Sequence, residues 1–146
     1  MHPRIVAFVI TVFGLASPDV PAMDAFAWQK RPLVVIVPSM QAPLREAQRA
    51  QVAEHRAGFA ERDMAYVEVV GDAVLVDDRP RVDLDAAAIR ARYGVDGETS
   101  VVLLVGKDTG VKLRSVDAPI AWSTLRATID AMPMRQREMR EGDGDG

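Results

Sequence analysis

The sequence predicts an α/β domain of element order β-α-β-α-β-β-α, with a central four-stranded mixed sheet and helices on both faces. Three observations carry this. Leu33–Val37 and Val101–Val105 are apolar at every position, the pattern of strands covered on both sides. Leu44 to about Arg62 is rich in Ala, Gln, Glu and Arg, all strong helix formers, and separates the first strand from a second strand-like run, Met64–Val70. Gly106–Gly110 then joins Val101–Val105 to the alternating Val111–Arg114, which reads as a hairpin.

The elements follow in order. Arg4, then an uninterrupted apolar and small stretch Ile5–Ala16 broken by Thr11 alone, then Val20-Pro21-Ala22, have the layout of a secretory signal peptide over residues 1–22. Cleavage after Ala22 fits best and cleavage after Ala16 is the rival. In a bacterium that places the mature chain in the periplasm or outside the cell. Residues 23–32 are a lead-in, with Phe26 and Trp28 spaced to face one surface. Pro38 ends the first strand, and Pro43 suits the first turn of the helix that follows. Ala50, Ala53, Ala57 and Ala60 form one stripe, expected to pack on the sheet. Ala73–Val82 reads as a loop with at most a short strand. Asp83 is the expected N-cap of a helix stopped by Gly94. Trp122, Leu125, Ile129 and Met132 give a last amphipathic helix ended by Pro133. The domain thus runs over residues 33–135, with a flexible charged tail at 136–146.

Composition excludes several functions. The 146 residues are 49% hydrophobic and 27% charged, enough for one packed core. Eighteen Lys+Arg against 21 Asp+Glu leave a net charge of −3, which gives no general attraction for nucleic acid. No apolar run reaches the ~18–20 residues of a membrane span. There is no cysteine, so disulfides, thiolate metal sites and thiol nucleophiles are all ruled out.

Tyr93-Gly94-Val95, followed five residues later by a Val/Leu run, is similar to the thioredoxin segment that leads into its third core strand. Thr99 then stands where thioredoxins carry a cis-proline, and Ser39-Met40-Gln41-Ala42 stands where they carry their thiols. Disulfide exchange needs a thiolate attacker, so that chemistry is absent. The chain also resembles a family of short exported bacterial proteins of unknown function in the peroxiredoxin-like "DUDES" group, whose relatives include domains of vertebrate extracellular-matrix proteins. The matching residues are Trp28, Arg31-Pro32-Leu33-Val34-Val35, Pro38-Ser39, Arg62-Asp63-Met64, Val69-Val70-Gly71-Asp72, Gly106-Lys107-Asp108, Gly110-Val111-Lys112-Leu113-Arg114 and Asp130-Ala131-Met132-Pro133-Met134-Arg135. The resemblance implies a thioredoxin-like fold and export, without an established activity. Ala121-Trp122 departs from the Ser or Thr N-cap expected there.

Candidate chemistry is sparse. Ser39 precedes a helix N-terminus, but His55, the one histidine after the signal segment, lies about 18 Å further along a straight helix. A serine nucleophile has no base within reach there. The carboxylates Asp77, Asp78, Asp83 and Asp85 lack metal-loop spacing, so neither metal nor other cofactor is implied. Gly106–Gly110 lacks the spacing of a phosphate loop. What the pattern does place together is cationic: Lys112 and Arg114 on one strand face, Lys107 at the hairpin mouth and Arg31 nearby. The expected function is therefore a non-catalytic binding module for an envelope protein or a small anionic ligand. Its surface is expected at Arg31, Ser39, Gln41, Thr99, Lys107, Lys112 and Arg114. A thiol-independent hydrolase using Ser39 or Lys107/Asp108, and a purely structural envelope component, are the alternatives.

Overall fold

In the computed structural model, which describes residues 23–144, two apolar strands form the centre of a six-stranded sheet. The strands are β1 (Arg31–Val37), β2 (Met64–Val70), β3 (Ala73–Val76), β4 (Arg79–Pro80), β5 (Val101–Val105) and β6 (Val111–Val116), in the spatial order β4-β3-β2-β1-β5-β6. β1 and β2 are parallel across a helical crossover, and every other pairing is antiparallel. The expected signal segment and the last two residues of the expected tail lie outside the described residues.

All residues of β1, β2 and β5 are buried, because helices cover both faces. On one face Leu33, Val35, Val37, Tyr66, Val102 and Leu104 pack under α1 (Pro43–Glu54), α2 (Arg56–Glu61) and α4 (Trp122–Asp130), through Leu44, Phe59, Leu125 and Ile129. On the other, Val34, Ile36, Val67, Val69 and Leu103 meet Ile89 and Tyr93 of α3 (Ala86–Tyr93), together with Met23 and Phe26 from the lead-in. A buried Leu or Ile side chain contributes roughly 1.5–3 kcal/mol, so these two layers dominate stability.

Several expectations need correction. The sheet has six strands rather than four, because Ala73–Pro80 folds into a hairpin on the β2 edge. Its turn residues Asp77 and Asp78 both take left-handed φ, 49° and 67°, which a two-residue hairpin needs and aspartate tolerates. The Asp77 N–H donates to the Tyr66 carbonyl at 2.8 Å and its carboxylate accepts the Tyr66 N–H at 2.9 Å, extending the pairing past β3.

The expected long helix breaks at His55 (φ −127°, ψ 32°) into α1 and α2. The break lets the His55 ring stack on Trp122 at 5.0 Å, beside Phe59 on Trp122 at 5.4 Å. The Ala50, Ala53, Ala57 and Ala60 stripe faces outward instead of onto the sheet. Buried Gln48 is what orients α1: its amide donates to the Ile120 carbonyl at 3.1 Å and accepts the Ile120 N–H at 2.7 Å. Phe26 is buried but Trp28, at φ 64°, is 69% exposed, so the two do not share a surface.

The N-cap of α3 is Asp85, whose carboxylate accepts the Ala88 N–H, while Asp83 pairs with Arg81 at 2.7 Å. Gly94 ends α3 in the left-handed conformation, as expected. Ala121 carries no capping side chain, and Gln51 of α1 accepts the Trp122 N–H at 3.2 Å in its place. Pro133 opens a further helix, α5 (Pro133–Asp143), in a position where its missing N–H costs nothing. Residues 136–143, expected as flexible tail, form most of that helix.

Candidate ligand site

The start of β1 places a fully buried arginine at one end of the sheet. Arg31 is 0% exposed. One guanidinium nitrogen donates to the Arg62 carbonyl at 2.9 Å, and both terminal nitrogens donate to the Glu138 carboxylate of α5 at 3.2 and 3.0 Å. Such paired bonds are the strong geometry for arginine and carboxylate. The Nε–H of Arg31 is buried and has no partner among the described residues.

Lys107, just past β5, is brought to the same place. Its Nζ donates to Glu138 at 2.6 Å and to Asp63 at 2.9 Å, while its carbonyl accepts the Trp28 N–H at 2.7 Å. Asp63 sits in the α2–β2 turn at φ 51°. In the β5–β6 turn Asp108 accepts the Gly110 N–H at 3.0 Å and the Lys112 Nζ at 2.9 Å. A Cβ at Gly106 would lie 2.7 Å from Cε of Lys112, so the missing side chain lets Lys112 fold over the turn.

A second ionic layer supports the first. Arg62 grips Asp130 of α4 with two bonds of 3.0 Å and lies 5.3 Å from the Trp122 ring. Arg135 of α5 reaches Glu61 at 3.0 Å and Asp130 at 3.4 Å. Burial pushes the Glu138 carboxyl up, but hydrogen bonds from Arg31 and Lys107 outweigh it and hold the group below its ordinary range. Asp130 is held low in the same way: burial opposes, and Arg62 and Arg135 prevail.

Arg31, Lys107 and Lys112, with Met132, Pro133 and Met134, line a cavity of about 140 Å³. The three cations and the Asp108 carboxylate stand on one side and an apolar wall on the other. An apolar cavity of about 150 Å³ holds benzene, so this space suits a ligand of about six non-hydrogen atoms.

The other expected residues lie elsewhere. Ser39 and Gln41 are exposed beyond the far end of β1, and the seven-residue strand separates them from Arg31 by roughly 20 Å. Thr99 lies at that same far end, since Ile36 pairs with Val101. Its N–H and hydroxyl both donate to Asp96 at 2.8 Å. Val37 at the end of β1 and Gly71 just past β2 accept hydrogen bonds from Arg90 of α3 through their carbonyls. Arg114, mid-way along β6, donates to the Tyr93 carbonyl at 2.8 Å. The structure therefore joins Arg31, Lys107 and Lys112 and does not join them to Ser39, Gln41, Thr99 or Arg114. His55, stacked on Trp122, is no base for Ser39.

A second polar cluster has no counterpart in the expected surface. Glu68, in the middle of β2, is 1% exposed and pairs with Arg45 at 2.7 Å and Arg49 at 2.6 Å. Arg49 also reaches Asp78 at 2.6 Å. Burial, reinforced by the Glu68 charge, pushes the Tyr66 hydroxyl well above its ordinary value. An open cleft of about 370 Å³ beside it is lined by both signs of charge, including Arg49, Arg56, Asp77 and Asp78. The one signal for this cluster was a lone charge inside an otherwise apolar strand. No group of three or more His, Asp or Glu able to hold a metal occurs among the described residues, and no helix there is long and apolar enough to cross a membrane.

Neither a curated protein nor a solved structure matches the chain. Residues 22–138, which take in both ionic layers and the cavity, match a family described as a domain of unknown function, DUF4174. The chain belongs to the DUF4174 family.

Proposed function

We propose that this protein is an exported, cysteine-free, thioredoxin-like binding module that takes up a small carboxylate in the Arg31–Lys107–Lys112 cavity. The four strands β2-β1-β5-β6, parallel at β1–β2 and closed by an antiparallel hairpin, support the thioredoxin-like reading, with β3–β4 as an addition on the β2 edge. The layout of residues 1–22 supports export to the periplasm or beyond, and the quoted motifs support membership of the DUDES group.

The observation that carries the ligand reading is that Arg31, which lines that cavity, has a buried Nε–H with no partner among the described residues. A buried donor left unsatisfied costs about 1–3 kcal/mol, and an acceptor oxygen removes that penalty. A short-chain carboxylate offers the Lys107 and Lys112 ammonium groups a negative charge and lays its carbon tail on Met132 and Met134. Glu138 already occupies part of this donor set, so the site recognises the group it is proposed to bind. No bond is made or broken, and binding is the whole activity.

The test is calorimetric titration with acetate, butyrate and octanoate. Butyrate is expected to bind most tightly, with Lys112→Met weakening it and Met134→Trp blocking it. Equal heats for all three acids, or butyrate affinity untouched by both substitutions, would refute the reading.

A further inference from the structure

β6 is a sheet edge over its whole length, and it is built unlike the other edge. β4 has two residues, whereas β6 has six, with Val111 and Val116 about half exposed at its ends. The Asp117 N–H donates to the Ser100 carbonyl at 2.9 Å, which fixes the phase of the β5–β6 ladder. Hydrogen-bonded pairs alternate with open ones, so Ser115↔Val102 is bonded while Arg114↔Leu103 and Val116↔Val101 are open. The N–H and C=O of Arg114 and Val116 therefore point away from the sheet, as a template for one more strand.

Charge selects the occupant. Two copies pairing antiparallel about a twofold axis place residue i opposite residue j with an even sum. Centred on Leu113 this sets Lys112 against Arg114, and centred on Arg114 it sets that residue against itself. Like charges directly opposite are destabilising, so both of these registers disfavour a second copy, and the register centred on Ser115 leaves Arg114 facing Val116 without a counter-charge. Arg114 is exposed, its guanidinium bonds a neutral carbonyl, and no carboxylate pairs with it among the described residues. It offers an uncompensated positive charge on the same side as the Val116 side chain.

We infer that β6 docks an extended acidic segment of a partner protein as a seventh, antiparallel strand, with a carboxylate opposite Arg114, a second opposite Lys112 and an apolar residue opposite Val116. Backbone bonds to Arg114 and Val116 supply affinity, and the alternate side chains supply selectivity. This inference does not rest on the carboxylate cavity.

The probe is the labelled, acetylated heptapeptide amide Thr-Val-Thr-Glu-Thr-Glu-Thr, followed by fluorescence anisotropy on the full chain. Saturable binding is expected, about tenfold weaker with Arg114→Glu, as a favourable cross-strand pair becomes a repulsive one. A peptide with Lys in place of both Glu is expected to bind Arg114→Glu better than it binds the unmodified protein. N-methylation of the peptide amides that face the edge is expected to abolish binding. The inference is overturned by absence of saturable binding, by affinity unchanged in Arg114→Glu or on N-methylation, or by self-association of the protein that Arg114→Glu alters.

Discussion

The two ends of the central strand β1 could hardly differ more. At its start buried Arg31 and Lys107 share Glu138 of α5, Lys107 also holds Asp63 of the α2–β2 turn, and a second ionic layer lies behind them. At its finish Ser39 and Gln41 sit exposed in an uncharged loop. The organised polar chemistry of the chain lies at the start of β1, and the finish of the strand is plain. Burying ions is unfavourable unless they are paired and hydrogen-bonded, so such an arrangement requires several elements to cooperate. β1, α2, α4, α5 and the turns before β2 and after β5 all contribute to it.

The largest effect expected from this contrast is on stability. Arg31→Leu strands the buried end of the network and is predicted to lower the unfolding free energy by about 3–5 kcal/mol in urea titration. A loss below about 1 kcal/mol would mean that the network is loosely solvated. Next comes Gly58→Ala, because a Cβ there would lie 2.3 Å from Cζ2 of Trp122. Trp122 would have to move, and Arg62 with it; overpacking of this kind costs about 1–3 kcal/mol. Full stability in Gly58→Ala would show that the Trp122 stack does not anchor the charged end.

Acid probes the same end more gently. Glu138 and Asp130 have carboxyls held low in the fold, so their stabilisation is present above the ordinary carboxylate range and is lost as pH falls through it. Thermal melts should therefore show falling Tm below about pH 4.3. Glu138→Gln should flatten that fall, and an unchanged slope would remove Glu138 from the account. At the plain end, Ser39→Ala is predicted to shift stability by less than about 0.5 kcal/mol. A larger loss would reveal a role for that loop.

The same contrast explains what was legible. Leu33–Val37 of β1 and the whole of β5 are readable because burial on both faces leaves no polar residue in either run. The break at His55 is not, since the Ala, Glu and Arg residues beside it favour helix and the ring it stacks on, Trp122, lies far along the chain. The β3–β4 turn hid because Asp77-Asp78 lacks the usual Asn-Gly signal. Arg31, Lys107 and Lys112 were named from the hairpin, but their counterions were not. Glu138 lies 107 residues from Arg31 and was read as tail. Ionic partners carry no periodicity, so only the folded chain reveals which charges are already matched.

The most direct measurement is side-chain NMR of Arg31 during butyrate titration, with backbone amides read in the same spectra. A saturable shift of the Arg31 Nε–H, with the Ser39, Gln41 and Thr99 amides unmoved, is the predicted result. Shifts confined to the Ser39 end, or an Arg31 Nε–H that stays still at saturating butyrate, would contradict the placing of the ligand at the start of β1.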